Sequence, residues 1–359
     1  MEPFKNKYNP KSLKTFSNIL KDKSFNQKKF IKVVDPKLKN LEMKARVDLI
    51  SHALNECLDL SYEDSIDLLL SRLDEVKEMD SFWIWPLTNF VALFGLDSYE
   101  KSAQAIGEMT KKFTSEFVIR YFIKEFEAKF YKDYIIPWSK DNNEHLRRLA
   151  SEGTRPNLPW GMKVNYINEN LKKNIKILNR LKNDDSLYVR KSVANHFNDI
   201  TRLDPDLVIE TLSQWNRQNE KQAWIIKHAL RTMLKDGDER ALKLNGFDIN
   251  PKLTISHKTI SKKRIKEGDS FEIKFVLNSK IKKKQKLSID YIIHYPKKNG
   301  KLSAKSFKMK DILLEGKLLL SKKVSFRKVT TRKHYPGVHK IEIKISNKKY
   351  FLGEFNLKS

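Results

Sequence analysis

At 359 residues, 40% of them hydrophobic and 11% aromatic, the chain is too long for one ordinary core and too apolar to be disordered. A single cysteine, Cys57, excludes a disulfide framework, and eight histidines without a Cys/His cluster give no zinc site, so neither metal nor cofactor is expected. The net charge of +28 is lopsided: residues 251–359 hold 30 basic and 8 acidic side chains, whereas residues 1–250 hold 42 and 36. That asymmetry favours a nucleic-acid-facing surface over solubility alone.

The N-terminus, MEPFKNKY, lacks the basic–apolar–small succession of a signal peptide. The longest apolar stretch, 82–96, is interrupted by Pro86, Thr88 and Asn89 and is too short to span a bilayer. A soluble cytoplasmic protein with no membrane partner is expected.

Up to Phe247 the periodicity is helical. Leu41, Met43, Val47, Ile50, Ala53 and Leu54 make one apolar face within 40–58, and 66–73 and 117–123 continue the pattern. Turn signals at Asp35-Pro36, Asp184-Asp185-Ser186 and Asp204-Pro205 cut the chain into helices of about 10–18 residues. Later units resemble one another. Arg147 aligns with Arg190 at a spacing of 43, and Lys191 with Lys227 at 36. That interval belongs to paired-helix repeats of the HEAT type, which bury their faces against their neighbours. The expected first domain, residues 1–250, is therefore an all-α HEAT-like repeat solenoid.

After Pro251 the period changes to two. Segments 253–256, 271–277, 287–295, 306–312, 318–326, 337–346 and 350–357 read as seven short strands. Ile289, Tyr291 and Ile293 alternate with Asp290, Ile292 and His294; Ile341, Ile343 and Ile345 alternate with Glu342, Lys344 and Ser346. Seven strands without disulfides suggest a small all-β immunoglobulin-like sandwich over 251–359, with a small barrel as the alternative.

Chemistry concentrates in three repeat segments. In HLRRLASEG, from His145, the inner stripe is Leu146, Leu149 and Ala150, with Gly153 as a helix stop. Arg148 and Glu152 stand four apart, and the plain reading is an ion pair worth a few tenths of a kcal/mol. In YVRKSVANHFNDI, Val189, Val193, Phe197 and Ile200 point inward, and Ser192, Asn195 and Asp199 share a polar face, the plain reading of Asp199 being a solvated acid. In the third segment Lys227, Arg231 and Lys235 form a cationic ladder suited to phosphate. Stacked repeats line up equivalent helices, so Arg148, Glu152, Arg190, Asp199, Lys227 and Arg231 are expected along one groove, cations on phosphates and acids among them.

RRLASEGTRPNLPWG, YVRKSVANHFNDI and WIIKHALRTMLKDGD resemble signature segments of the AlkC branch of the AlkC/AlkD-like DNA glycosylases, which are built from HEAT-like repeats. The similarity runs from about residue 40 to 247, and an appended immunoglobulin-like domain is also similar to members of that branch. The resemblance implies that Glu152 and Asp199 are active-site carboxylates and that Trp160 is the aromatic beside the lesion. The family's loop is similar to RPRLPW; Asn157 here replaces its second arginine. From the residues alone, Trp160 is equally well a loop anchor behind Pro159.

The resulting expectation is a monofunctional glycosylase acting on cationic alkylated bases, such as 3-methyladenine and 3-methylcytosine, in double-stranded DNA. Capture without full base flipping is implied by the resemblance. Glu152, Asp199 and Trp160 form the catalytic set. Arg147, Arg148, Arg155, Arg190, Lys227 and Arg231 are the expected DNA contacts. A monomer without an obligate protein partner is expected. The alternatives are a non-catalytic HEAT-like protein that binds bent or branched DNA, and a repeat scaffold for an acidic protein.

Overall fold

The computed structural model describes residues 2–329 and 333–358. In chain order the fold is an all-α array of HEAT-like helices followed by an immunoglobulin-like β-sandwich. Two compact units result: Met1–Pro205 with Asn216–Ala229, and Asp206–Trp215 with Leu230–Ser359. Among the described residues, no helix is long and apolar enough to cross a membrane.

In the first unit the apolar face expected over 40–58 becomes the helix Met43–Cys57, which buries Val47, Ile50, Ala53 and Leu54. The segment 66–73 is divided at Arg72 into the helices Tyr62–Ser71 and Leu73–Asp80. Asp35-Pro36 does not interrupt the chain, because Pro36 lies inside the helix Gln27–Leu38. Proline there removes one hydrogen bond close to the helix end, while Phe30, Val34 and Leu38 keep their buried stripe.

The helix Glu144–Glu152 starts at Asn143, whose side chain accepts a hydrogen bond from the His145 amide at 2.9 Å. It ends at Gly153, but not through a left-handed turn, since Gly153 has φ −69. A Cβ on Gly153 would fall 2.0 Å from Ile119 Cδ1, so close approach is what requires glycine.

Leu187–Ile200 packs against both Glu144–Glu152 and Glu220–Ala229. Val189, Val193, Phe197 and Ile200 are fully buried, as expected. Ser192 and Asp199 are buried too, so Asp199 is not solvated. A helix flanked by two neighbours has little surface left for a polar face. The third segment also differs from its sequence pattern. Glu220–Ala229 ends, Leu230 leaves helical geometry, and Arg231–Asp236 begins. Lys227 and Arg231 are both exposed and lie on separate helices, so the cations expected as a ladder are not carried by one helix.

In the second unit, eight strands follow: β1 (Leu253–Ile260), β2 (Arg264–Ile265), β3 (Ser270–Ser279), β4 (Gln285–Pro296), β5 (Leu302–Leu314), β6 (Lys317–Ser325), β7 (Gly337–Ile345) and β8 (Lys348–Leu357). One sheet runs β1-β3-β6 and the other β2-β8-β7-β4-β5; among the described residues only the β2–β8 pairing is parallel. The seven expected strands are present. The two-residue β2 is too short to show alternation. Phe271, Phe275, Ile289, Ile293, Ile341 and Ile343 lie in the sandwich core.

The other face of β4 and β7 is not solvated at Asp290 and Lys344. Lys344 is 2% exposed, and its ammonium donates to the carbonyls of Leu234 (3.0 Å) and Lys235 (2.6 Å) and meets Asp290 at 3.1 Å. Those carbonyls close the helix Arg231–Asp236, whose free C-terminal acceptors attract a cation. Gly237 (φ +86) then turns the chain where a Cβ would be 3.4 Å from Asn347 Cα. The composition changes near residue 250, whereas this packing ties the helix that starts at Arg231 to the sandwich. Burial pushes the Lys344 pKa down, against the pull of Asp290. Lys344→Ala strands Asp290 with the half-exposed Lys308 at 3.7 Å. Such a break costs about 3–5 kcal/mol, so the urea midpoint of the full chain should fall clearly. An unchanged midpoint would contradict this account of the packing.

Candidate active site

Three residues after Glu144–Glu152 ends, Arg155 turns its guanidinium back between two acids. Its Nη1 donates to Glu152 Oε1 at 2.6 Å and its Nε to Asp199 Oδ2 at 2.8 Å. Glu152, Arg155 and Asp199 are 6%, 7% and 5% exposed. Two carboxylates from separate stacked helices thus converge on one cation. Burial alone would lower the pKa of Arg155, but Asp199 and Glu152 outweigh it and the net shift is upward. Among the described residues, Glu152 Oε2 and Asp199 Oδ1 meet no hydrogen-bond donor.

The array continues on the far side of Glu152. Arg148 Nη2 lies 3.6 Å from Glu152 Oε1, and Arg148 Nη1 donates to Glu116 and to Thr114 Oγ1 (2.6 Å). The Arg148 guanidinium also sits 5.0 Å from the ring centroid of Tyr188. Acid and base therefore alternate as Glu116, Arg148, Glu152, Arg155, Asp199. Burial would depress the Arg148 pKa as well, yet Glu116 and Glu152 turn the shift upward.

Four of the arginines expected at DNA hold partners within the protein. Arg155 is buried and Arg148 partly buried, both in ion pairs with protein acids. Arg147 is held by Asp184 through two bonds, at 2.6 and 3.0 Å, and donates to the carbonyls of Asp141 and Asn142. Arg190 donates to the carbonyls of Asp184 and Asp185. Many of their donors engage repeat termini and carboxylates of the protein itself.

The loop 153–162 is fastened from behind by Arg120, which is 1% exposed. Its Nε donates to the Met162 carbonyl at 2.6 Å, and its Nη1 to those of Gly153 and Arg155 at 2.8 Å each. Burial pushes the Arg120 pKa down to about 10. Leu158 is the buried anchor of this loop, so Trp160 is not. Trp160 is 62% exposed, with a left-handed backbone (φ +64). Its ring lies parallel to Trp85, centroids 6.3 Å apart, and Trp85 stacks in turn on Phe117 at 5.3 Å. Trp160 thus combines a strained backbone with a ring left mostly in water.

Residues 254–359 match the family described as the C-terminal Ig-like domain of the uncharacterised protein YhaZ. The chain is 36% identical over 308 residues to the uncharacterized protein YhaZ of Bacillus subtilis (strain 168), covering 85% of each. It is also similar to the alkylpurine DNA glycosylase AlkC of Pseudomonas fluorescens, solved bound to DNA containing an abasic site analog. There the TM-score is 0.94 and the identity 34%, over 100% of both chains. The chain belongs to the AlkC branch of the AlkC/AlkD-like DNA glycosylases.

Within this AlkC-type chain, sequence reasoning missed Glu116 and Arg120. Their signal is present: TSEFVIRYF places an acid and an arginine four apart in an apolar run, where unpaired charges would not be tolerated. Asn157, the departure from the AlkC loop pattern, is half-buried between the buried Pro156 and Leu158.

His196 supports the same corner. It is fully buried, its Nδ1 donates to the Ser151 carbonyl at 2.9 Å, and Ser192 bonds Ser151 Oγ at 2.9 Å. Burial pushes its pKa down to about 3, against the Ser151 bond and reinforced by Arg155 and Arg120. An unfolded histidine takes up its proton near pH 6.5, so between that pH and 3 the unfolded chain binds more protons. Stability is therefore lost as pH falls through that window, by up to about 1.4 kcal/mol per pH unit from this residue. Urea unfolding at pH 7, 6 and 5 should show the decline, and His196→Gln should flatten it. An unaltered slope in the variant would place the proton uptake elsewhere.

Proposed function

We propose that this protein is a monofunctional DNA glycosylase that hydrolyses the N-glycosidic bond of cationic alkylated bases, such as 3-methyladenine and 3-methylcytosine. The observation that carries this reading is the pairing of Glu152 and Asp199 across Arg155, each acid giving one oxygen to the arginine and keeping the other. The likeness to an alkylpurine glycosylase over the whole chain supports it.

An N3-alkylated base carries a fixed positive charge. When the C1′–N bond breaks, the base leaves with the bonding pair and becomes neutral, so no general acid is needed. Positive charge moves to the sugar. A carboxylate oxygen beside the anomeric carbon stabilises that oxocarbenium character and takes the proton of the water that adds to C1′. Arg155 acts as a positioning residue that fixes the spacing of the two acids. Trp160 adds stacking and cation–π contact of roughly 0.5–2 kcal/mol.

The exposed Lys227 and Arg231 remain the proposed phosphate contacts, while the basic residues of 251–359 supply a long-range attraction for duplex DNA. We place the substrate in double-stranded DNA and the lesion in an open cradle without full extrusion, in contrast to glycosylases that flip the base into a closed pocket. The protein would act as a monomer, without a metal or cofactor.

Incubating the purified chain with methylated duplex and identifying the released bases tests this directly. Glu152→Gln and Asp199→Asn should each slow single-turnover release by about 10²–10⁴-fold. Tight binding of methylated DNA with no base released would favour the non-catalytic DNA-binding alternative.

A further inference from the structure

The helix Leu171–Arg180, LKKNIKILNR, contains no acid. It buries Asn174, Ile175, Ile177 and Leu178, and carries Lys173, Lys176 and Arg180 at i, i+3 and i+7 along its exposed face. Like charges at that spacing repel one another and weaken the helix that carries them. Facing this stripe the chain is irregular. The helix Ile119–Phe130 is interrupted at Glu127 (φ +42, ψ −114), and a π-helical turn, Tyr131–Ile135, follows and brings in a fourth cation, Lys132. Backbone of this kind collects at functional sites.

The four cations rim a pocket of about 700 Å³ including its open mouth, and no carboxylate lines it. The whole pocket lies in the first compact unit, and the carboxylate–arginine array contributes no residue to it. Ile136, 38% exposed, gives it an apolar lining backed by the buried Ile177 and Tyr131. Among the described residues, no acid lies within ion-pair distance of Lys132, Lys173, Lys176 or Arg180. Asp133, beside Lys132 in the chain, is taken by Lys129 and Tyr99. Tyr166 offers no open ring face for a nucleobase. The Lys173 ammonium lies over that ring at 4.8 Å and donates to its hydroxyl at 2.5 Å, and the ring meets Tyr131 at 65°.

We infer that this pocket docks an acidic segment of a partner protein, with one apolar side chain seated against Ile136 and flanking carboxylates on Lys132, Lys173, Lys176 and Arg180. Charge complementarity carries the choice of an acidic partner, because the four cations have no acid of their own. The apolar lining carries the choice of a peptide over a nucleic-acid strand. Phosphates make no use of an isoleucine surface, and a stacked base needs a free aromatic face. An apolar anchor inside a charged rim is the arrangement by which a protein segment gains both affinity and orientation. The inference goes beyond the glycosylase reading and does not depend on it, since the pocket shares no residue with Glu152, Arg155 and Asp199.

Fluorescence anisotropy on the full-length protein tests this with two labelled peptides, one of aspartates around a central Phe and one with Ser in place of that Phe. The Phe peptide should bind about fivefold tighter than the Ser peptide. Lys173→Glu with Lys176→Glu should weaken the Phe peptide by about tenfold. Lys21→Glu with Lys28→Glu, an equal change of net charge at exposed positions outside the pocket, should alter its affinity by less than about twofold. Ile136→Ser should abolish the preference for Phe, with circular dichroism confirming the fold of each variant. Equal binding of the two peptides, binding of neither, or equal weakening by the two charge-reversed pairs overturns the inference. Duplex or single-stranded DNA that displaces the Phe peptide, and that itself loses affinity in Lys173→Glu with Lys176→Glu, would assign the cleft to nucleic acid instead. Peptide binding requires no base release, so this inference and the glycosylase reading fail separately.

Discussion

One buried guanidinium held between two carboxylates sets the geometry of the helical unit. Taking Glu152, Arg155 and Asp199 out of water costs several kcal/mol per ion, and only close, directional bonds offset it. The bonds of 2.6 and 2.8 Å meet that condition. Because the acids sit on different helices, the pairing leaves those helices no freedom to slide. Val193 and Phe197 fill the space between turns, and Ser192 and His196 both reach Ser151. Apolar packing supplies the attraction there, and polar bonds choose one register among many that would bury similar area.

The loop after Gly153 obeys a different logic. Arg120 fixes both of its ends through carbonyls, and Leu158 anchors its middle. With the ends immobile, Trp160 can hold a backbone conformation that costs roughly 1–2 kcal/mol for a non-glycine residue. It can also leave most of a large ring exposed. Rigid support beneath and strain above are two parts of one arrangement, because a flexible loop would relax and bury the indole.

How much of this was readable in the sequence varies with how local each signal is. The helical and two-residue periods record which side chains face a core, and both fold types followed from them. Glu152 and Asp199 came together because repeat spacing places equivalent helices side by side. The partners of the arginines were not legible for a physical reason: the sequence shows a basic side chain on a repeat but not the carboxylates and carbonyls that the fold brings around it. Those partners stand far away in sequence, Asp184 from Arg147 and Asp199 from Arg155. The ladder of Lys227 and Arg231 failed at Leu230, where no glycine or proline marks the break.

Lys344 bears on how such a protein is inherited. The natural seam by composition lies near residue 250, where helices give way to strands. The ammonium of Lys344 is nevertheless satisfied by carbonyls of the helix Arg231–Asp236. A gene fusion that delivered only the strands would leave Lys344 with Asp290 but without those two carbonyls, and would open to solvent the face that the helix covers. Recombination that preserves the sandwich has to carry the preceding helix with it, so the heritable module is longer than its β-structure.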